Sequence, residues 1–116
     1  MYRKGIFVAT SFAVVTGLVT FFSGIPVSKA ADIDANKLYM THCKTCHGTD
    51  GKPTDLGIGL EARDFTDAAW QAEVTDEKII KQINDGTPEK MMPFKEKLSQ
   101  DEIKSLVPVV RSFGKK

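Results

Sequence analysis

Two cysteines three positions apart, with a histidine directly behind them, dominate this chain: Cys43, Cys46 and His47 in "THCKTCHGTDG", residues 41–51. They are its only cysteines, and the one other histidine, His42, stands directly in front of them. A chain that commits all its thiols and its best metal ligand to one turn must fold around whatever that turn holds. Three chemistries use such a turn: a redox-active disulfide, a zinc knuckle and covalent haem attachment.

The surroundings narrow the choice. Residues 6–22, "IFVATSFAVVTGLVTFF", carry no charge and follow Arg3 and Lys4. Small residues at Ser28 and Ala30 suit the −3 and −1 positions of a signal-peptidase site, so residues 1–30 read as an export signal cleaved after Ala30. The alternative is an uncleaved membrane anchor, although a full span needs about 20 apolar residues. An exported chain works outside the cytoplasm, where thiols are paired, bound to metal or chemically capped.

Residues 31–116 then make up one small domain. Loss of Arg3, Lys4 and Lys29 leaves 13 basic and 15 acidic side chains, a near-neutral balance that argues against nucleic acid. Its aromatic residues are Tyr39, Phe65, Trp70, Phe94 and Phe113. Domains this small bury a modest share of their surface and usually need a metal, disulfide or cofactor. A large apolar cofactor would supply the missing interior.

The periodicity is helical throughout and no strand pattern is present. Ala35, Leu38, Tyr39 and His42 share one face of a helix capped by Asp32 or Asp34, which runs into Cys43. A glycine-rich stretch, 48–65, reads as loop, and its "GIG" at 57–59 lacks the strand and helix of a dinucleotide site. Thr66 is the expected cap of a short helix at 67–71. Thr75 caps another, with Ile79, Ile80 and Ile83 as its buried stripe and Gly86 at its end. After a second loop at 86–98, Ser99 and Glu102 form a capping box. The helix it opens carries Ile103, Leu106, Val107, Val110 and Phe113 on its apolar face. Pro108 lies inside that helix, where a kink or loosened turn is expected.

Haem attachment suits the motif best. A thioredoxin-like site needs a sheet, and zinc needs about four well-spaced ligands. Two thiols three positions apart can instead add to the two vinyl groups of a haem, leaving the next histidine beneath the iron.

On "LYMTHCKTCHG" (38–48), "MPF" (92–94) and "LSQDEIKSLVPVVRSF" (98–113), the chain resembles the class I c-type cytochromes. The resemblance spans essentially all of residues 31–116. It implies an all-α cytochrome c fold of three to five helices around one covalent haem c, the first helix packed across the last. It also implies an axial methionine ahead of a proline, which is Met92, with Met91 as a core filler; Met91 as ligand is the alternative. Thioether sulfur is a soft neutral donor that favours Fe(II). Arg63 and Trp70 are candidate hydrogen-bond donors to the haem propionates; a solvated arginine and a core tryptophan are the competing readings. Tyr39 is expected to pack between the first and last helices, and His42 to be a solvated neighbour of the site. Family members often carry an aromatic residue at the position of Val109 and a non-proline at Pro108.

The expected function is therefore a periplasmic electron carrier rather than an enzyme, passing single electrons between respiratory or dehydrogenase partners. A cytochrome subunit of a larger oxidoreductase is the alternative. An open-iron sensor or peroxidase fits less well: the motif is near the start of the domain and no second "CxxCH" is present. Contact with the membrane would come only through an uncleaved leader. Lys44, Lys90, Lys95 and Lys97 are expected to form a positive rim that steers an acidic redox partner.

Overall fold

Six helices and no strand are found among the described residues, which are 32–115 together with 5, 10–14, 17 and 24 in a computed structural model. The chain divides into two units, Met1–Ala30 and Ala31–Lys116. In the first, the described residues carry no helix, and Phe12 and Val14 are exposed. Ser28, Ala30 and Ala31, on which the expected cleavage site rests, lie outside the described residues. Among the described residues no helix is long and apolar enough to cross a membrane.

The second unit runs α1 (Ala35–His42), α2 (Lys44–His47), α3 (Asp55–Gly59), α4 (Ala68–Glu73), α5 (Asp76–Asp85) and α6 (Gln100–Phe113). Local side-chain caps start five of these, with Thr54 accepting from the Gly57 amide at 3.1 Å at the head of α3. Asp34, rather than Asp32, accepts from the Lys37 amide at 2.9 Å, and Thr75 accepts from that of Lys78 at 3.2 Å. Ser99 and Glu102 close the capping box in both directions, at 3.2 and 2.8 Å. The cap of α4 differs from expectation. Asp67, not Thr66, accepts from the amides of Ala69 and Trp70. Thr66 is held by Asp64, whose Oδ1 accepts from both its hydroxyl (2.6 Å) and its amide (2.8 Å). The Thr66 hydroxyl is thus donated to a charged acceptor two residues back, and the Asp67 carboxylate supplies the cap.

The one-turn helix α2 lies just beyond the first helix, which the sequence runs only as far as Cys43, and α3 occupies a segment read from sequence as loop. Gly57 explains α3. A Cβ there would sit 2.0 Å from the carbonyl oxygen of Cys46, so only glycine lets α3 lie against α2.

The core lies where α6 packs against α1 and α5. Ile103 and Leu106 are fully buried, and Val107, Val110 and Phe113 continue the stripe. Each such side chain contributes about 1.5–3 kcal/mol by leaving water. Tyr39 packs on Phe113 with ring centroids 5.2 Å apart, joining the first and last helices as expected. Pro108 does not interrupt α6. Its ring is exposed, as is Lys104, whose carbonyl loses its helical donor, so that carbonyl is left on the solvent side.

The C-terminal end of α6 also holds the opposite wall of the domain in place. Arg111 donates to the carbonyls of Gln71 and Val74, both at 2.7 Å, and to Asp76 Oδ1 at 2.8 and 2.9 Å. Gln71 Nε2 in turn donates to the carbonyls of Phe65 (2.8 Å) and Val110 (3.0 Å). The segment from Phe65 to Asp76 is thereby fastened to α6.

Candidate functional site

Cys43, Cys46 and His47 stand at i, i+3 and i+4 on one turn, the spacing that puts three side chains on one helical face. The turn is fixed from behind. The Cys43 amide donates to the Tyr39 carbonyl at 2.8 Å and the His47 amide to that of Cys43 at 2.9 Å. The buried Tyr39 hydroxyl donates to the Gly48 carbonyl at 2.7 Å, with a longer contact of 3.2 Å to that of His47. Burial, aided by nearby Cys43 and Asp50, pushes the phenol far above its ordinary pKa, so it remains a donor. From the other side, the Thr54 amide and hydroxyl donate to the carbonyls of Cys46 (2.9 Å) and Thr45 (2.6 Å).

In front of this turn opens a cavity of about 750 Å³. All six residues singled out in the sequence line it: Cys43, Cys46, His47, Arg63, Trp70 and Met92. Phe65, Ile79, Ile83 and Val110 supply apolar wall. Both thiols are free and half-buried. Burial first, and Cys46 second, push the Cys43 thiol up to about 11, so it stays protonated at neutral pH. His47 stacks on Phe65 at 4.4 Å, and its Nδ1 is buried without a hydrogen-bond partner. Burial lowers its pKa and so favours the neutral imidazole, an effect that the Arg63 backbone opposes in part. Among the described residues, no three His, Cys, Asp or Glu side chains cluster to hold a metal ion, so a zinc knuckle has no ligand set there.

The two methionines differ. Met91 packs against the core, pairs with Thr87 across a β-bridge, and accepts from Gln82 Nε2 at 3.5 Å through its sulfur. Met92 is 56% exposed, lines the cavity, and its sulfur lies 3.4 Å from Lys97 Nζ. Gly86 makes their loop possible: it has φ +62°, and a Cβ would meet the Met91 carbonyl oxygen at 2.2 Å. The expected lysine rim is weaker than a count of lysines suggests. Lys90 pairs with Glu61, and Lys95 lies 3.8 Å from Asp85. His42 is exposed, with its ring edge-on to Phe94 at 5.8 Å.

Residues 30–108 match the family described as cytochrome c oxidase, cbb3-type, subunit III. The chain belongs to the class I c-type cytochromes. The solved KustC0563 c-type cytochrome is 70% identical over 70% of this chain and 98% of its own, with a TM-score of 0.69. A tyrosine-to-phenylalanine mutant of that protein matches at 69% identity, over 70% of this chain and 99% of its own, with a TM-score of 0.68. No curated protein matches this chain.

A c-type cytochrome carries covalently bound haem c, and the residues here fit that group. The cavity volume lies within the range of about 300–1,000 Å³ usual for cofactor sites. Two free thiols and a neutral histidine with an orphaned, buried ring nitrogen face or flank it. Sequence reasoning missed three contributors. Lys78 lines the cavity from α5, while Gln71 and Arg111 hold its wall from outside. Lys78 reads in sequence as a solvated lysine of a helix's first turn. Gln71 and Arg111 are joined across 40 residues, which no local pattern reveals.

Proposed function

We propose that this cytochrome is a monohaem electron carrier of the bacterial periplasm, with His47 and Met92 as axial ligands and an export signal removed after Ala30. One observation carries the reading: a single apolar cavity is lined both by the Cys43–His47 turn and by the Met91–Met92 loop, 45 residues further on. The thiols of Cys43 and Cys46 would hold one haem by adding across its two vinyl groups, each addition forming a carbon–sulfur bond, moving the thiol hydrogen to the neighbouring carbon and releasing nothing. When bound, haem iron supplies a one-electron Fe(III)/Fe(II) couple. The protein holds His47 neutral by burial, presents Met92 at the cavity, and surrounds the ring with apolar side chains that limit water. With His47 and Met92 both holding the iron, a substrate would find no open position on it, which suits electron transfer between redox proteins.

A second reading, a cytochrome subunit of a larger oxidoreductase, is favoured by the match to the oxidase subunit III family. Native mass of the purified protein separates the two readings.

The ligand assignment is tested by paired substitutions. Met92→Ala should open the ferric protein to added imidazole and lower its reduction potential. Met91→Ala should leave the low-spin spectrum intact and cost about 2 kcal/mol of stability, the lower end for truncating a core methionine. The reverse pattern would transfer the ligand role to Met91.

A further inference from the structure

Among the described residues, the non-glycine residues with positive φ are Glu61 (+59°) and Glu89 (+63°). An L side chain in that region crowds its own backbone, and such residues gather where a clamp or switch holds them. Glu61 closes α3. Its amide donates to the Ile58 carbonyl at 3.0 Å and that of Ala62 to the Gly57 carbonyl at 2.8 Å, a helix ending at which glycine is usual. Glu89 is the second corner of a turn closed by the Lys90 amide on the Thr87 carbonyl at 3.0 Å, again a place for glycine when φ is positive.

These two turns meet. The Lys90 ammonium, one residue beyond Glu89, pairs with the Glu61 carboxylate, 29 residues away in the chain. Both residues line the main cavity and both side chains are exposed, so the pair stands where the cavity meets solvent. Among the described residues it is the one hydrogen bond or ion pair that joins residues 86–93 to residues 48–65. The other bonds of the methionine loop run within it, to α5 or to Lys97. The Glu61 end is in turn fixed to the attachment turn. The Thr54 amide donates to the Cys46 carbonyl, and Gly57 brings α3 against the same carbonyl. The ion pair therefore ties the loop that carries Met92 to the wall that carries His47.

Met92 is 56% exposed, so core packing does not hold it in place. What keeps its loop against the cavity must come from bonds that cross to another wall. We infer that Glu61 and Lys90 form a clasp that holds the Met91–Met92 loop closed over the cavity and so sets how often the sixth position of the iron is open. This inference rests on the proposed ligation by Met92. An exposed ion pair between two mobile side chains contributes little, because ordering them offsets the attraction. Here each partner is delivered by a turn whose corner residue is held at positive φ, so part of that ordering is already built into the backbone. The effect expected is local and modest: the loop opens more often once either charge is gone.

Glu61 and Lys90 are positioning residues, and the test reads binding of added imidazole to the ferric holoprotein. Glu61→Gln and Lys90→Gln are combined in a double-mutant cycle. Lys81→Gln, which breaks an exposed ion pair inside α5, is the control. At low salt each single variant should bind imidazole about two- to fivefold more tightly than wild type, the range of an exposed pair. The double variant should gain no more than either single one, and Lys81→Gln should gain nothing. Glu61→Gly, which relaxes the backbone as it removes the carboxylate, should match Glu61→Gln. At about 1 M salt, where the screening length is about 3 Å, wild type should approach the variants. Wild-type affinity in the single variants, or gains that add in the double, would overturn the inference. Met92→Ala keeps the underlying reading separate. If wild type binds imidazole as freely as Met92→Ala, ligation by Met92 is itself refuted. If Met92→Ala opens the iron and the charge variants do not, only the clasp is refuted.

Discussion

The two sides of α6 are built differently. Towards α1 and α5, side chains of the domain fill their own space: Ile103 and Leu106 are fully buried and Tyr39 meets Phe113. Towards the Cys43–His47 turn, Phe65, Ile79 and Ile83 line a cavity of about 750 Å³ that no side chain fills. The first side is a helical interface of ordinary kind. The second is a core whose missing part is the cofactor. A domain of this size thus divides its stabilisation between residues it encodes and a group it must bind.

The comparison breaks most visibly if the cofactor is withheld. Cys43→Ala/Cys46→Ala, produced as the full chain, should lack covalent haem and lose most of its helical circular dichroism signal with no cooperative thermal transition. A cooperatively folded protein without haem would show that the α1–α6 side suffices alone. Damage to that side should be smaller and should leave attachment intact. Leu106→Ala removes a fully buried side chain and should cost about 3 kcal/mol in chemical denaturation of the holoprotein, with the visible spectrum unchanged. A spectral change would mean that the two sides are coupled through α6. Tyr39 belongs to both, through its ring on Phe113 and its hydroxyl on the Gly48 carbonyl. Tyr39→Phe keeps the ring and should cost about 1–2 kcal/mol, the loss of a buried hydrogen bond. No loss of stability in the holoprotein would place the contribution of Tyr39 in its ring packing on Phe113 alone.

Much of this was legible in the sequence because it is local. The attachment turn needs only the spacing of Cys43, Cys46 and His47. The starts of α1, α5 and α6 need only a cap three residues from the amide it accepts, and the stripe from Ile103 to Phe113 repeats with the helix. Where two local acceptors competed, at Thr66 and Asp67, spacing did not decide and the Asp64 carboxylate did.

Other features exist only once distant segments meet. Read along the chain, Gly57 belongs to a weak "GIG" loop; in the fold it lets α3 press on the backbone of Cys46. Lys90 and Lys95 count towards a positive rim until Glu61 and Asp85 approach them. Arg111 is an ordinary last-turn arginine until Gln71, Val74 and Asp76 surround its guanidinium. The sequence by itself determined which residues can take a haem and where the helices begin, since both depend on contacts within a few residues. Tertiary structure alone decided the cavity and its braced wall. Those depend on distances between segments 40 or more residues apart, which no periodicity in the chain encodes.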